Sequence, residues 1–388
     1  MRILVLANVP PGLVGGAEVQ ALNLARQWAA SGHSVLVAGY ANQPFETKNL
    51  SIIRIRTFRL HRALRAASYA VSTLWLLWRN RKKFDVIYCR FLNEQAFVAS
   101  FAKIIFRLHQ PVIACPACAS TGGDVSYISR SPLKHFWTWL LRNGLTAINA
   151  MSLQIEQEVI SLGINNVLVS RIPNGVILPA LNPAKPDCDR KVRFLFVGRL
   201  ADQKGIDILL LAASHLKNKQ AILRIDIIGD GPLRSVITAQ IRNLGLVDFV
   251  QIVGHLPPDE VSRQLHLAEA FVLPSRYEGM SGALLEAIAH GLPAIVTRVS
   301  GSEEIIDDDI GWLVPTNDEE ALAEAIREAL DLGHGGLHEM GKRARKKAEI
   351  EFDIERISVK YLELFMQLTE PLPKHEHQRK SIADNSGQ

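Results

Sequence analysis

The sequence predicts an α/β protein built from two doubly wound, Rossmann-like domains that face each other across a cleft. Short, continuously apolar segments recur along both halves of the 388-residue chain, and helical segments separate them. Such segments are typical of parallel strands covered by helices on both faces. A chain of this length holds two domains at about 150 residues each. The composition, 48% hydrophobic and 21% charged residues, is that of a globular protein and excludes a disordered or collagen-like chain.

The first half opens with a β-α-β unit. A strand is predicted over residues 3–7, a loop rich in Pro and Gly over 10–16, a helix over 17–31 that ends before Gly32, and a strand over 35–38. Further strands, with helices between them, are predicted over residues 52–56, 86–88, 112–114 and 147–150.

The second half repeats the alternation and ends in a helical segment over residues 318–369. Ligands of such folds bind at the carboxyl ends of the strands, so the cleft between the sheets is the expected site. The strands are predicted over residues 194–197, 223–228, 250–253, 270–273, 294–297 and 312–314, and the helices over 206–216, 233–243, 259–267 and 282–290.

A linker is predicted where proline interrupts both periodicities, because four prolines fall within residues 173–186. We therefore expect an N-terminal Rossmann-like domain, a linker, a C-terminal Rossmann-like domain, a C-terminal helix and a polar, disordered tail. Their predicted ranges are 1–175, 176–192, 193–351, 352–370 and 371–388.

Basic residues concentrate in the first half. Residues 51–110 carry twelve Lys or Arg and two acids, yet the chain has no zinc finger or other nucleic-acid signature. Within this stretch, residues 59–83 combine an apolar run containing Trp75 and Trp78 with flanking cations, which suits a helix on an anionic membrane surface. The run is too short to span a bilayer, and a core helix with solvated basic ends fits it equally.

The four cysteines are too few for a disulfide framework and indicate a reducing compartment. The apolar start of the chain is too short for a signal peptide, so we expect a cytoplasmic protein, able to associate with the inner face of the membrane. Cys115 and Cys118 have the spacing of a redox dithiol or half a zinc site, but no second pair completes a metal set. We interpret them as small side chains at a strand end, and expect no metal site.

The loop before the first helix suits an anion. Gly15 and Gly16 allow a phosphate to approach the backbone, and Glu18 can hold a hydroxyl group. A tight turn with a solvated glutamate is the alternative. The G-x-G-x-x-G spacing of a dinucleotide site is missing.

Two loops of the second half carry the most informative charges. Arg199 and Lys204 follow a strand and can straddle a diphosphate, although solvated loop cations would look the same. Glu278 lies at another strand end and Glu286 on the second turn of the next helix, where carboxylates can accept hydrogen bonds from sugar or ribose hydroxyls. The helix start between them, at Met280, Ser281 and Gly282, offers backbone N–H groups to a phosphate. Two surface glutamates are the alternative.

These motifs, in this order, resemble the family 4 retaining glycosyltransferases of the GT-B fold, a group 1 glycosyltransferase family. The resemblance covers almost the whole chain, and it implies that the first domain, residues 1–175, is the acceptor side and that the second, residues 193–351, binds the nucleotide sugar. It rests on Gly-Gly-Ala-Glu at 15–18, Phe-Val-Gly-Arg-Leu with Lys204-Gly205, Gly-Asp-Gly-Pro at 229–232, and Glu278-x7-Glu286 followed by His-Gly-Leu-Pro at 290–293.

The resemblance implies a hexosyltransferase that moves a sugar from a nucleotide-diphosphate donor to a saccharide or lipid-linked acceptor, with retention, in cell-surface polysaccharide or glycolipid synthesis. It implies no cofactor and no essential metal. By this resemblance Arg199 and Lys204 neutralise the donor diphosphate, Glu286 holds the ribose and Glu278 contacts the transferred sugar. The N–H groups around residues 280–282 bind sugar and phosphate oxygens. Residues 15 and 16 contact the donor from the other domain.

One departure from the family pattern concerns the acceptor side. Relatives carry a His after the fourth strand of the N-terminal domain, whereas residues 114–124 contain none. We expect Ser120 or Asp124 to take its place. Two other functions stay open: a GT-B-like epimerase acting on the nucleotide sugar itself, and a non-catalytic nucleotide-sugar binder.

Overall fold

A computed structural model of the protein describes residues 1–11, 15–58, 61–180 and 191–370. It contains two sheets that follow each other along the chain. The first has eight strands in the order β3-β4-β2-β1-β5-β6-β7-β8, and only its edge pair β3 and β4 is antiparallel within the described residues. Its strands are β1 (Arg2–Leu6), β2 (Ser34–Gly39), β3 (Phe45–Glu46), β4 (Leu50–Arg54), β5 (Val86–Arg90), β6 (Val112–Cys115), β7 (Ala147–Asn149) and β8 (Leu168–Ser170).

Helices cover both faces of the first sheet. Across the sheet, the chain moves in one direction from β1 to β2 and in the other direction from β4 to β8. Because the crossovers are right-handed, the first helix lies on one face of the sheet and the later helices lie on the opposite face. These helices are α1 (Gly16–Ala30), α2 (Arg62–Arg79), α3 (Glu94–Phe106), α4 (Asp124–Ser129), α5 (Lys134–Gly144) and α6 (Leu153–Ser161).

The second sheet has six parallel strands in the order β11-β10-β9-β12-β13-β14. Its strands are β9 (Val192–Val197), β10 (Leu223–Ile228), β11 (Val250–Gly254), β12 (Ala270–Leu273), β13 (Ala294–Thr297) and β14 (Gly311–Val314). The helices of this half are α7 (Ile206–Ser214), α8 (Arg234–Asn243), α9 (Pro258–His266), α10 (Gly282–Ala289), α11 (Ser302–Ile305), α12 (Glu319–Lys347), a π-helical turn (Ala348–Phe352) and α13 (Ile354–Thr369).

The last helix returns to the first sheet. Trp28 on α1 is fully buried, and its indole Nε1 donates to the carbonyl oxygen of Ser358 on α13 at 3.3 Å. Tyr361 packs edge-on against Trp28, and its hydroxyl accepts a hydrogen bond from Asn149 at 2.8 Å. The end of the chain therefore completes the core of the first half, a contact that no local sequence pattern indicates.

The predicted strands and helices named above agree with the structure to within two residues at each end. The sequence missed β3 and β8, because a two-residue strand and a half-exposed three-residue strand carry too little periodicity. The predicted domain boundaries stay predictions. Residues 181–190 of the predicted linker, with Cys188, and the predicted tail over 371–388 lie outside the described residues. In the part of the chain that the structure describes, none of the helices is long and apolar enough to cross a bilayer.

Candidate functional site

Loops from the carboxyl ends of both sheets are in direct contact. The loop after β6 runs beside the loop after β12, where the backbone N–H of Ala119 donates to the carbonyl oxygen of Glu278 at 3.1 Å. Cys118 and Gly279 form an isolated antiparallel bridge. A Cβ atom on Gly279 would lie 2.0 Å from the carbonyl oxygen of Ala117, so only glycine permits this approach.

A second set of contacts joins the starts of α6 and α11. The hydroxyl oxygens of Ser152 and Ser300 lie 2.6 Å apart. The carboxylate of Glu304 accepts one hydrogen bond from the backbone N–H of Leu153 and another from that of Gly301, both at 2.9 Å. Glu304 therefore links the two halves beside the loop contact.

A buried ion pair lies next to this contact. Lys204 ends a short 3-10 turn after β9, and its Nζ lies 2.5 Å from Oε1 of Glu278. The hydroxyl of Ser275 donates to the same oxygen at 2.7 Å, and only 7% of Glu278 is exposed. Within the described residues no group donates to Oε2 of Glu278, so this oxygen can accept a hydrogen bond from a ligand hydroxyl.

Arg199 lies five residues before Lys204 and differs from it in environment. Its side chain is exposed and forms neither an ion pair nor a hydrogen bond with the described part of the chain. Gly205, which follows Lys204, has a φ of 60°, and a Cβ atom there would lie 2.0 Å from the carbonyl oxygen of Pro274. This close approach fixes the loop against the end of β12, so Arg199 is a cation free to bind an anion beside a loop of fixed position.

Helix α10 begins four residues after Glu278. Ser281 is its N-cap and accepts a hydrogen bond from the backbone N–H of Leu284, while Gly282 is the first helical residue. The N-terminus of a helix favours negative charge. Met280, just before it, is buried.

Glu286 lies on the second turn of α10. Burial raises the pKa of its carboxyl group above the ordinary value of 4.5. No described residue donates a hydrogen bond to this carboxylate. A desolvated acceptor without a partner is suited to binding ligand hydroxyl groups, which would replace the lost water.

The start of α1 differs from that of α10. Gly15 is the N-cap, and a Cβ atom on it would lie 2.4 Å from Oε2 of Glu18, so the Glu18 carboxylate folds over its own helix start. A Cβ atom on Gly16 would meet nothing within 4 Å. Helix α1 contacts α10. Residues 12–14 of this loop lie outside the described residues.

Ser120 and Asp124 are held within the first half. Asp124 is largely buried, which raises its pKa, and its carboxylate accepts a hydrogen bond from the backbone N–H of Ala117 at 2.9 Å. The Ser120 hydroxyl accepts one from Gln154 at 2.8 Å, and its backbone N–H donates to Glu158. Both residues shape the loop that touches Gly279. Their assignment to the acceptor side stays a prediction.

The two cysteines of this loop are free thiols. Cys115 is fully buried at the end of β6. Burial, together with the nearby carboxylates of Glu278 and Asp124, raises the pKa of Cys118 to about 12. Because the thiolate is the reactive form, such a thiol is a poor redox nucleophile. In the described part of the chain, no three His, Cys, Asp or Glu side chains are grouped as metal ligands.

Sequence reasoning missed one residue that supports the site. Arg90 ends β5, is 1% exposed, and contacts no carboxylate among the described residues. It donates to Asn174 Oδ1 at 3.0 Å, and Asn174 Nδ2 donates to the carbonyl oxygen of Met280 at 3.0 Å. Arg90 thus positions, through Asn174, the residue before α10. The sequence shows Arg90 at the end of an apolar strand, but we interpreted it only as one of the basic residues within 51–110.

Comparison with known families adds to this geometry. The family model described as "Glycosyl transferases group 1" matches residues 182–347, and the model "Glycosyltransferase Family 4" matches residues 14–178. The chain belongs to the group 1 glycosyltransferases. The first match covers the second sheet and the other covers the first sheet except β1, so the family assignment includes both sides of the contact between the loops.

Two curated relatives match part of this group 1 glycosyltransferase. WcaL of Escherichia coli, a glycosyltransferase named for colanic acid biosynthesis, is 34% identical over 197 residues, which cover 49% of this chain and 47% of WcaL. The amylovoran biosynthesis glycosyltransferase AmsK of Erwinia amylovora is 37% identical over 169 residues, which cover 42% of this chain and 41% of AmsK. The chain therefore spans less than half the length of these relatives.

Solved structures match over nearly the full length. Anabaena Alr3699/HepE in complex with UDP-glucose has a TM-score of 0.76 at 19% identity, covering 95% of this chain and 100% of that chain. The lipopolysaccharide outer core galactosyltransferase WaaB in its apo form has a TM-score of 0.72 at 19% identity, again covering 95% and 100%. At this identity the likeness establishes the fold, which is GT-B.

Proposed function

We propose that the protein is a retaining glycosyltransferase that moves a sugar from a nucleotide-diphosphate donor to a saccharide or lipid-linked acceptor in cell-surface polysaccharide or glycolipid synthesis. One observation carries the proposal. The Lys204–Glu278 pair and the start of α10 occur together at the carboxyl ends of β9 and β12, beside the exposed cation Arg199 and the unpartnered carboxylate of Glu286.

The cationic groups suit a diphosphate. Arg199 can bind two phosphate oxygens through its planar fork, and Lys204 has three N–H donors, of which Glu278 takes one. The helix start at Ser281 and Gly282 adds backbone N–H groups and the positive end of the dipole. These groups neutralise the charge that develops on the leaving diphosphate, so we propose that the reaction requires no metal ion or other cofactor.

The two carboxylates suit hydroxyl groups on either side of that diphosphate. Oε2 of Glu278 can accept from a hydroxyl of the transferred sugar, because Oε1 is already bound by Lys204 and Ser275. Glu286, on the next helix turn, can accept from the ribose hydroxyls. With Glu278 fixed by its two partners, the sugar is oriented before reaction.

We propose that the transfer occurs on one face of the sugar, as the family resemblance implies. The bond between the anomeric carbon and the leaving phosphate oxygen breaks, and the acceptor hydroxyl oxygen bonds to the same carbon from the same side. The acceptor proton passes to the departing phosphate oxygen. Arg199 and Lys204 hold the diphosphate through this step by charge and hydrogen bonding.

The comparisons support the substrate classes without assigning them. HepE was solved with UDP-glucose bound, and WcaL and AmsK are named for the synthesis of two polysaccharides, colanic acid and amylovoran. We therefore propose a nucleotide-diphosphate sugar as donor and a growing cell-surface saccharide, free or lipid-linked, as acceptor.

A panel of nucleotide-diphosphate sugars, screened for protection against thermal unfolding, tests donor binding. One donor is expected to protect the wild type and to protect Arg199→Ala much less. Arg242→Ala serves as a matched control, because this exposed arginine lies at the end of α8, away from β9. Product analysis with and without a saccharide acceptor then separates a transferase from an epimerase, which changes the donor alone, and from a binder, which changes nothing. Equal protection of all three proteins would contradict the assigned diphosphate site.

A further inference from the structure

We propose that the outer face of the layer formed by α2, α3 and α5 docks on an anionic lipid bilayer. This surface, named here the aromatic face, comprises the exposed side chains of Trp75, Trp78, Phe101, Ile105, Phe136 and Trp139. It lies on a helix layer of the first sheet, and the proposal does not depend on the proposed reaction.

The three helices form one continuous layer. α2 packs against α3 and α3 against α5, and all three connect strands that advance in the same direction across the sheet. The aromatic side chains continue across the helix boundaries. Phe97 of α3 stacks on Trp137 of α5 with ring centroids 4.3 Å apart, and Phe136 stacks on Trp139 at 6.3 Å. Packing therefore joins the three helices into one layer, and the exposed residues lie on its outer side.

Helix α2 has two different apolar faces. Tyr69, Thr73 and Leu77 are buried at 0–1% exposure and face the core. Trp75 is 55% exposed and Trp78 is 49% exposed, on the opposite side of the same helix. A helix that served the core alone would not place two tryptophans in water, so the outer face needs its own apolar partner.

Tryptophan in particular favours a membrane interface, where its ring is buried and its N–H group reaches water. Three of the six tryptophans of the chain, Trp75, Trp78 and Trp139, are exposed on this face. The other three have interior or polar partners. Trp28 is fully buried, Trp137 stacks on Phe97, and Trp312 donates a hydrogen bond to Glu328.

Cations border the aromatic face. The guanidinium of Arg79 lies 5.2 Å from the ring of Trp75, and that of Arg81 lies 5.5 Å from the ring of Trp78. Exposed cations lie at or just after the carboxyl ends of all three helices. None of these cations forms an ion pair within the described part of the chain. They are Arg79, Arg81, Lys82, Lys83, Arg107 and Arg142.

This charge favours anionic lipid over a second copy of the chain. Two copies joined through the aromatic face would bring two sets of unpaired cations together, and like charges oppose association. An anionic membrane surface supplies opposite charge over a wide area, while the aromatic rings enter the boundary between headgroups and acyl chains.

The position of the cations is compatible with the site described above. The helices run antiparallel to the strands, so their carboxyl ends lie at the sheet edge opposite the strand ends that carry the loop contact. Docking through these cations leaves the loops after β6 and β12 uncovered.

Co-sedimentation with vesicles tests the proposal on the full chain. The probes are vesicles of phosphatidylcholine alone and vesicles containing phosphatidylglycerol, at low and high salt. In the docking variant, Arg79, Arg81, Lys82 and Lys83 are all changed to Gln. The matched control changes four exposed cations of the second half to Gln, namely Lys217, Arg242, Lys346 and Lys360, so that both variants lose the same charge.

The wild type is expected to bind only the anionic vesicles, with lower affinity at high salt. Each cation near an anionic surface adds about 1 kcal/mol, or roughly fivefold in binding, so the docking variant should bind about a hundredfold to a thousandfold more weakly. The control variant should bind like the wild type. A Trp75→Ser, Trp139→Ser variant should also lose binding, and circular dichroism should show that it is folded, since both residues are exposed.

Tryptophan emission provides a second readout that needs no variant. Insertion of Trp75, Trp78 and Trp139 should shift the emission of the wild type to the blue with anionic vesicles and not with neutral ones. Absence of binding and of this shift would overturn the proposal, and so would equal loss in the docking and control variants. Self-association that Trp75→Ser disperses, without vesicle binding, would assign the face to a second copy and also overturn it.

Discussion

Replacement of Lys204 by Ala should affect folding and activity together, whereas replacement of Arg199 should affect activity alone. The side chains of Lys204 and Glu278 are only 15% and 9% exposed. Lys204→Ala leaves the Glu278 carboxylate with Ser275 as its one hydrogen-bond donor among the described residues. Arg199 is exposed and has no partner in the described chain, so its removal leaves no buried charge.

The magnitudes follow from these environments. Removing one partner of a buried ion pair costs about 3–5 kcal/mol of unfolding free energy, because the other charge stays buried without compensation. A surface substitution changes the same quantity by about 0.5 kcal/mol or less. For activity, loss of one group that stabilises the leaving charge should lower kcat/KM about 100-fold to 1,000-fold in either variant, which corresponds to about 3–4 kcal/mol.

Urea denaturation and steady-state kinetics on the same preparations measure both effects. A double variant, Lys204→Met with Glu278→Gln, separates them. It removes both charges at similar volume, so it should recover most of the stability lost in Lys204→Ala and none of the activity.

Two results would refute this reasoning. If Lys204→Ala and Arg199→Ala had the same midpoint in urea, the ion pair would not be the buried contact described here. If both single variants retained full kcat/KM with the true donor, neither cation would hold the diphosphate.

The two carboxylates and the proposed metal-independent reaction give three further predictions. Glu286→Gln should stabilise the unliganded protein at about pH 8 and not at about pH 4. Burial raises the pKa of Glu286, so above that pKa the ionised carboxylate lowers the unfolding free energy by about 1.4 kcal/mol per unit of pKa shift. Urea denaturation at the two pH values measures the gain in stability, and a gain that does not depend on pH would contradict the prediction. Glu286→Ala should raise the donor KM most while Glu278→Ala should lower kcat, and reversed kinetic effects would exchange the assigned roles. Neither EDTA nor a thiol reductant should abolish activity, and a loss restored by one metal ion would show that a metal is required.

The alternation of strands and helices could be predicted because each element carries its own periodicity. β12 is four buried apolar residues, and α10 begins at a Ser that caps it and ends before Gly291. Such local patterns fix element positions and, through the right-handed crossover, the two layers of helices. The shortest edge strands were missed for the same reason, because their pattern is too brief to recognise.

Part of the candidate site could also be predicted. Arg199, Lys204, Glu278 and Glu286 follow strand ends of one sheet, and parallel topology brings strand ends to one edge. The spacing alone could not show that Glu278 is bound to Lys204 and Ser275 while Arg199 has no described partner. That difference depends on side-chain packing between loops about 74 residues apart in sequence.

The long-range contacts could not be predicted from the sequence. The hydrogen bonds from Arg90 to Asn174 and from Asn174 to Met280 join positions 84 and 106 residues apart. Similarly, α13 packs against α1 from the far end of the chain. No periodicity encodes such pairings, which depend on how the folded units fit together.

The proposed sugar transfer can be tested by following a labelled sugar from the donor to the acceptor. The donor that protects the protein from unfolding is supplied with its sugar labelled, with and without a saccharide or lipid-linked acceptor, and the products are separated and examined by NMR. We expect the label to move to the acceptor only when the acceptor is present, one nucleoside diphosphate to be released per transfer, and the anomeric configuration to be unchanged. Label found only in an altered nucleotide sugar, or an inverted anomeric centre in the product, would contradict it.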